Sequence, residues 1–305
     1  MTAIATTPTE TQTTAKAKAP RGEGSVTKAG WFTRITVTIL CFLWVLPVIG
    51  LVVTSFRPLD DVDGSGWWVA VFKPSMWSHF TTDNYTTALN NAHMGQAFIN
   101  TIAITLPATF IPILIASFAA YAFTFMEFKG RDFLFLAIVS LLVIPNYVAF
   151  VPMLNFYKAL GISGVPRAWL AHIGFGMSLA IYILRNYMAT LPKTVIESAK
   201  IDGASHYQTF FKLVLPMSVP ALASFAIFQF LWVWNDLLVA LIVLGPDRDV
   251  APVTVALQNA LVGQQGGGWH LITAGALISM FAPVLVFLTL QRYFVRGLTA
   301  GAVKG

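Results

Sequence analysis

Residues 191–220 read LPKTVIESAKIDGASHYQTFFKLVLPMSVP, and the fold turns on what this stretch is. It is polar enough to stay out of a lipid core, yet it carries helix punctuation at regular places. Thr194 followed three residues later by Glu197, just after Pro192, has the form of a capping box. Ser205 with Gln208 repeats the device after Gly203. Gly203 can take the left-handed backbone that ends one helix and redirects the chain, and Pro216 stops the second. The stretch is expected to be two short helices joined by a bend.

What lies on either side of it is apolar. The chain has 305 residues, is 56% hydrophobic and only 10% charged, with mean hydropathy +0.71. A soluble domain carries about a quarter charged residues, so too few charges are present here to coat a water-facing surface. About 20 apolar residues cross a hydrocarbon core of roughly 30 Å. Six stretches qualify: residues 31–56, 97–125, 133–156, 169–187, 219–244 and 271–295. Each is read as a helix, because unpaired backbone groups are too costly in lipid for an open sheet. Prolines at 47, 107, 112, 145, 152 and 283 interrupt the spans. They favour a packed bundle with a path through it, though static kinks account for them nearly as well. Residues 1–29, rich in Thr, Ala and Lys, cannot offset their ordering entropy by burial and are read as a disordered tail. Residues 30–305 form the membrane domain, with the loop 191–218 outside the bilayer.

The net charge is +6. In a soluble protein such a charge would point to nucleic acid, but here it sits in short segments between apolar runs, the pattern that orients a membrane protein. Placing the N-terminal tail inside leaves only Arg57, Lys73, Lys158, Arg167 and Arg248 outside, and fourteen of the nineteen Lys and Arg inside. That bias puts both termini, and the loop 191–218, on the cytoplasmic side. Cys41 is the single cysteine, which excludes an intrachain disulfide and a Cys-based metal cluster. The histidines show no metal spacing, and no Ser/His/Asp arrangement stands out.

The order Glu197, Ser198, Ala199, then Gly203, then Leu213, Leu215 and Pro216 resembles the EAA loop of binding-protein-dependent ABC importers. The spacing matches throughout, with Ser198 in place of the second Ala and Leu213 where Ile is usual. Asn100-Thr101, residues 119–123 with 128–131, Trp234-Asn235-Asp236 and the ending from Gln291 to Gly305 are similar to the maltose-type carbohydrate permeases, in particular to the subunit with the short basic GLTAGAVKG tail. The resemblance implies a type I ABC importer permease bundle: an all-α membrane protein of six transmembrane helices in the bacterial plasma (inner) membrane. It also implies a second homologous permease, two ATPase subunits and an extracytoplasmic sugar-binding protein as partners. The chain itself would be no enzyme and bind no cofactor. ATP and Mg would sit on the ATPase subunits, in keeping with the lack of a GxxxxGK[ST] phosphate loop in the sequence.

Candidate residues follow from both lines of reading. Coupling to the ATPase is assigned, through the resemblance, to Glu197, Ser198, Ala199, Asp202, Gly203, Ala204, Phe210, Phe211, Leu215 and Pro216. Ala199, Ala204, Phe210 and Phe211 would supply apolar contact, and Glu197 a charge. The plainer role for Glu197 is its capping box. Asn146 and Tyr147 either line the solute path or bond neighbouring helices. Asn235 and Asp236 lie beside them as path candidates. Asp236 is an acid inside a span, a functional candidate by default, and it opens the alternative of a proton-coupled secondary transporter. Against that stands the absence of a detectable inverted repeat. The segment Arg57–Gln96, with Trp67, Trp68, Phe72, Trp77 and Phe80, is either an aromatic belt or a docking surface. Gln264, Gln265, Gly266 and Trp269 form either a flexible connection or, as the resemblance implies, a contact with the binding protein.

Overall fold

A computed structural model describes residues 30–90, 93–245, 247–262 and 268–302, without the side chains of 260–262 and 292–302. The tail 1–29, Gln264, Gln265, Gly266 and residues 303–305 lie outside the described residues. All regular elements among those described are helical. In chain order they are α1 Trp31–Ser55, α2 Leu59–Gly64, α3 Trp67–Phe72, α4 Asp83–Asn90, α5 Met94–Phe125, α6 Arg131–Ser140 and α7 Phe150–Ala159. There follow α8 Val165–Met188, α9 Lys193–Ile201, α10 His206–Thr209, α11 Leu215–Met217, α12 Val219–Trp234, α13 Leu238–Val243, α14 Val253–Val262 and α15 Trp269–Ala302.

The chain divides into two units, Met1–Pro47 and Val48–Gly305. Of the first, the structure describes the N-terminal part of α1, whose side chains from Trp31 to Val45 are exposed. In the second, α5 is the central helix and packs on α8, α12 and α14. The sequence explains how closely α5 and α8 approach. Ile104, Ala108, Pro112, Ala116 and Ala120 recur every fourth residue on α5 and are all buried. Ala168, His172, Gly176, Ala180, Leu184 and Met188 do the same on α8. Small side chains at that spacing let two backbones come together where lipid supplies no hydrophobic drive.

Four helices are long and apolar enough to cross a membrane: α1, α5, α8 and residues 269–291 of α15. Two further apolar segments are bent pairs. Residues 131–143 meet 146–159 at 97°, and residues 206–217 meet 219–234 at 70°. The number of crossings is therefore four, or up to six if each bent pair is one. Straight helices over 133–156 and 219–244 are the simplest expectation from hydropathy, and neither forms. The third apolar stretch turns at Ile144-Pro145, where Pro145 is extended (ψ 125°) and lacks the N–H a continuing helix would need. The fifth ends at Trp234, and the short α13 resumes after Asn235-Asp236-Leu237. By contrast Pro107 and Pro112 sit inside an unbroken α5.

The segment after α1 is pinned by polar groups. Arg57 is 1% exposed; its Nη2 donates to the Asp61 carbonyl and to Ser65 Oγ. Asn84 Nδ2 donates to the carbonyls of Ser55 and Arg57, each at 2.8 Å. Burial pushes the Arg57 guanidinium down from its ordinary value, with Asp61 pulling the other way. Trp68, Phe72 and Trp77 stay exposed.

Candidate functional site

The stretch 191–220 does form a bent helical pair, but not by all the devices its sequence suggests. The N-cap of α9 is Pro192, with no side-chain bond to the helix. The Thr194–Glu197 capping box is therefore a correction: both residues lie inside the helix rather than at its entrance, because Pro192 occupies the cap. Glu197 is exposed, and among the described residues it makes no hydrogen bond or ion pair. The second box does form. Gln208 N–H donates to Ser205 Oγ at 3.3 Å, and Ser205 N–H donates to Gln208 Oε1 at 2.9 Å. Between them Gly203 has φ +77°, and the Ala204 N–H donates back to the Ala199 carbonyl at 2.9 Å, closing the turn.

Pro216 does not stop the second helix, a further correction. Residues 210–214 widen into a π-turn, and the chain stays helical through Met217. Pro216 falls in the first turn of α11, where its missing N–H is not required. The π-turn turns one aromatic inward: Phe210 is 2% exposed and stacks on Phe118 of α5 at 4.6 Å. Its role as an outward contact is corrected too, since stacking inside the chain leaves it no free face. Phe211, Ala199, Ala204 and Leu215 are half-buried, and Ser198, Asp202 and Pro216 are exposed. The outward apolar groups are instead Val195, Ile201 and Tyr207, the last two 86% and 70% exposed.

Underneath, the pair is rooted in the bundle. Ile196, Phe210 and Val214 belong to one buried cluster with Ala116, Ala120 and Tyr121 of α5, Ile181 and Leu184 of α8, and Phe225 of α12. The Tyr121 hydroxyl lies 3.0 Å from His206 Nδ1. A displacement of α9 or α10 is thereby transmitted to three helices, since close-packed interiors pass on strain rather than absorb it.

The second constellation lies where α5, α8 and α12 meet. Gln229 of α12 is 1% exposed, and its Nε2 donates to the carbonyls of Ala108 at 3.2 Å and His172 at 3.3 Å. Two turns on, Asp236 Oδ1 and Oδ2 accept from the N–H groups of Val239 at 3.3 Å and Ala240 at 2.9 Å. The Thr254 hydroxyl donates to the Asp236 carbonyl at 2.6 Å. Both carboxylate oxygens are thus engaged with the start of α13. Asn235 is exposed and bonds its own helix, donating to the Leu231 carbonyl at 2.8 Å. Asn146 and Tyr147 sit at the bend and are exposed, Tyr147 at 67%. Trp269 is 65% exposed. The structure does not bring Asn146 and Tyr147 together with Asn235 and Asp236 by any bond among the described residues.

Gln229 escaped the sequence reading, and His172 entered it only as one of the histidines without metal spacing. Each is polar inside an apolar run, the signal that singled out Asp236, and that signal would have found both.

The described residues form a helical bundle with long apolar helices, two bent apolar pairs and a bent helix pair, α9 and α10, packed on α5, α8 and α12. Residues 108–300 match the model of the family described as binding-protein-dependent transport system inner membrane component, and the chain belongs to that family. It is 52% identical over 271 residues to the osmoprotective compounds uptake permease GgtD of Synechocystis, covering 88% of this chain and 91% of that one. It is 38% identical to the alpha-glucoside transport permease AglG of Rhizobium meliloti, covering 90% and 97%. The trehalose transport permease SugB of Mycobacterium tuberculosis is 34% identical, covering 85% and 92%. A chain from the crystal structure of a bacterial ABC transporter that imports alginate shares the fold, with TM-score 0.70 at 18% identity, covering 86% of this chain and 95% of that one. The protein is a permease subunit of an ABC importer, an inner-membrane component distinct from the ATPase. That membership displaces the proton-coupled alternative.

Proposed function

We propose that this subunit imports a carbohydrate or a related polyol, with α9 and α10 acting as the handle by which cytoplasmic ATPase subunits move the bundle. The observation that carries this reading is the pairing of a free outer face with a rooted inner one. Glu197, Ile201 and Tyr207 point away from the chain while Ile196, Phe210 and Val214 pack against α5, α8 and α12. Glu197 pairs with a basic residue of the ATPase, and Ile201 and Tyr207 enter an apolar groove there. Closure of the ATPase pair then tilts the packed helices as rigid bodies and switches access across the membrane.

The partners are a second permease, two ATPase subunits that hold ATP and Mg, and an extracytoplasmic binding protein. An alginate importer has been crystallised with its oligosaccharide-loaded periplasmic protein. Relatives named for alpha-glucosides, for trehalose and for melibiose, raffinose and stachyose support a glycoside as cargo. The relative named for osmoprotective compounds widens the class to compatible solutes carrying hydroxyls. Both termini and the α9–α10 pair are assigned to the cytoplasm on the Lys and Arg bias.

The test is reconstitution of the full complex in proteoliposomes with internal ATP, using labelled trehalose, melibiose and raffinose. Uptake should require ATP and binding protein and should survive collapse of the proton gradient. Uptake without the ATPase subunits, or labelling of a Lys200→Cys variant from outside intact cells, would overturn the reading.

A further inference from the structure

We propose that α3 and the turn after it form an aromatic foot resting in the lipid surface at the Ser55 end of α1, the outer leaflet on the Lys and Arg bias. The foot comprises α3 and the 3-10 turn Pro74–His79. None of the six residues of α3, WWVAVF, is charged. One face is covered by the chain itself, with Ala70 buried and Trp67 half-buried. The other carries Trp68 and Phe72, 56% and 81% exposed, and Trp77 of the turn is exposed at 56%. A helix that is apolar all round belongs inside a protein or in lipid, and aromatic residues of this kind gather at the membrane–water boundary.

Depth decides between lipid and a water-borne partner. A Cβ at Gly50 would stand 2.9 Å from Trp67 Nε1, so the indole lies against α1 at that glycine. Gly50 is five residues short of the helix end at Ser55, roughly 7.5 Å at 1.5 Å per residue. Interfacial helices sink roughly 5–10 Å into the boundary between headgroups and acyl chains. Because α1 is long and apolar enough to cross a membrane, α3 lies alongside the last turns of a crossing helix. A soluble protein docks beyond such a helix end, not beside it.

The foot is held in place by the polar groups around it. Its segment closes on itself where the Thr81 N–H donates to the Phe56 carbonyl at 2.8 Å. Arg57 reaches the Asp61 carbonyl and Ser65 Oγ just before α3. The Trp77 indole N–H donates to the Ala70 carbonyl at 2.8 Å, which ties the turn to α3. The acids lie apart from the aromatic face: Asp60, Asp61 and Asp63 are on α2, and Asp61 pairs with His79 at 3.0 Å. Lipid headgroups that are anionic are held by clustered Lys and Arg, and Lys73 is the one such residue of the foot. The foot therefore binds the bilayer through apolar area rather than headgroup charge.

The experiment places a nitroxide at position 72 or 68, using Phe72→Cys and Trp68→Cys in a Cys41→Ser background. The complete complex, with partner subunits freed of reactive cysteines, is reconstituted in vesicles of phosphatidylethanolamine and phosphatidylglycerol. Collision of the label with oxygen, which partitions into lipid, is compared with collision with a water-soluble nickel chelate.

At both positions oxygen should collide several-fold more than the chelate. That ratio should survive addition of the binding protein and exchange of phosphatidylglycerol for phosphatidylcholine. Collision with the chelate that equals or exceeds collision with oxygen puts this face in water and overturns the foot. Low collision with both reagents overturns it in favour of a second subunit packed there. Oxygen collisions lost only when the binding protein is added overturn it in favour of a docking surface. A ratio that collapses without phosphatidylglycerol overturns insertion by apolar area.

Discussion

His172 Nε2 lies 3.7 Å from Asp236 Oδ2, so the second turn of α8 comes close to the point where the fifth apolar stretch breaks. The same carboxylate holds the first N–H groups of α13, so its position is set by a helix end. An acid inside a span invites a proton-carrying role. The geometry assigns it a cap.

Asp236→Asn keeps one of the two acceptor oxygens and should therefore still transport, with a smaller loss of stability than Asp236→Ala. Asp236→Ala should lower stability by about 1 kcal/mol, read as a lower unfolding temperature of the purified complex. A proton carrier would behave in the opposite way, with Asn as damaging as Ala.

Glu197→Gln separates charge from fold. Because Glu197 makes no bond within the chain, the variant should unfold within about 0.5 kcal/mol of wild type and assemble normally. Binding-protein-stimulated ATP hydrolysis and sugar uptake should both fall. Normal uptake would remove Glu197 from the coupling.

Gly203 tests the bend. Its φ of +77° is strained for any residue with a side chain, yet a Cβ there meets nothing within 4 Å, so the cost is backbone alone. Gly203→Ala should cost about 1–2 kcal/mol, and Gly203→Asn less, since Asn tolerates the left-handed region. Hydrogen exchange across residues 193–214 should rise in that order, and uptake should fall in the same order.

Gly176 and Gln229 form a matched pair. A Cβ at 176 would stand 2.7 Å from the Gln229 amide atoms, displacing the flexible amide from both carbonyls. At roughly 0.6 kcal/mol for each interhelical bond in a membrane, Gly176→Ala should cost about 1 kcal/mol. Gln229→Ala should cost a similar amount. The double variant should cost clearly less than the two combined, because the clash and the bonds vanish together. Additive losses would show that the two residues act separately.

Much of the α9–α10 pair was legible in the chain itself. A left-handed turn at Gly203 and a capping box at Ser205 and Gln208 are properties of a few adjacent residues, and local chemistry decides them. The box at Thr194 and Glu197 has the same local form and does not occur, because Pro192 takes the cap. Phe210 and Phe211 are adjacent aromatics that sequence treats alike. Only the π-turn and the waiting ring of Phe118 send the first inward. Gln229 and His172 read as isolated polar residues until α5, α8 and α12 come together around them.

Hydropathy determined that this chain lives in a bilayer, and roughly where it crosses, because transfer of apolar residues into lipid is a property of composition summed over about 20 positions. Tertiary structure decided which apolar stretches stay straight. Pro107 and Pro112 leave α5 whole, packed on α8 and α12. Pro145 marks a 97° turn and lines a cavity. Whether a proline bends a span depends on what stands next to it, and no stretch of sequence holds its own neighbours.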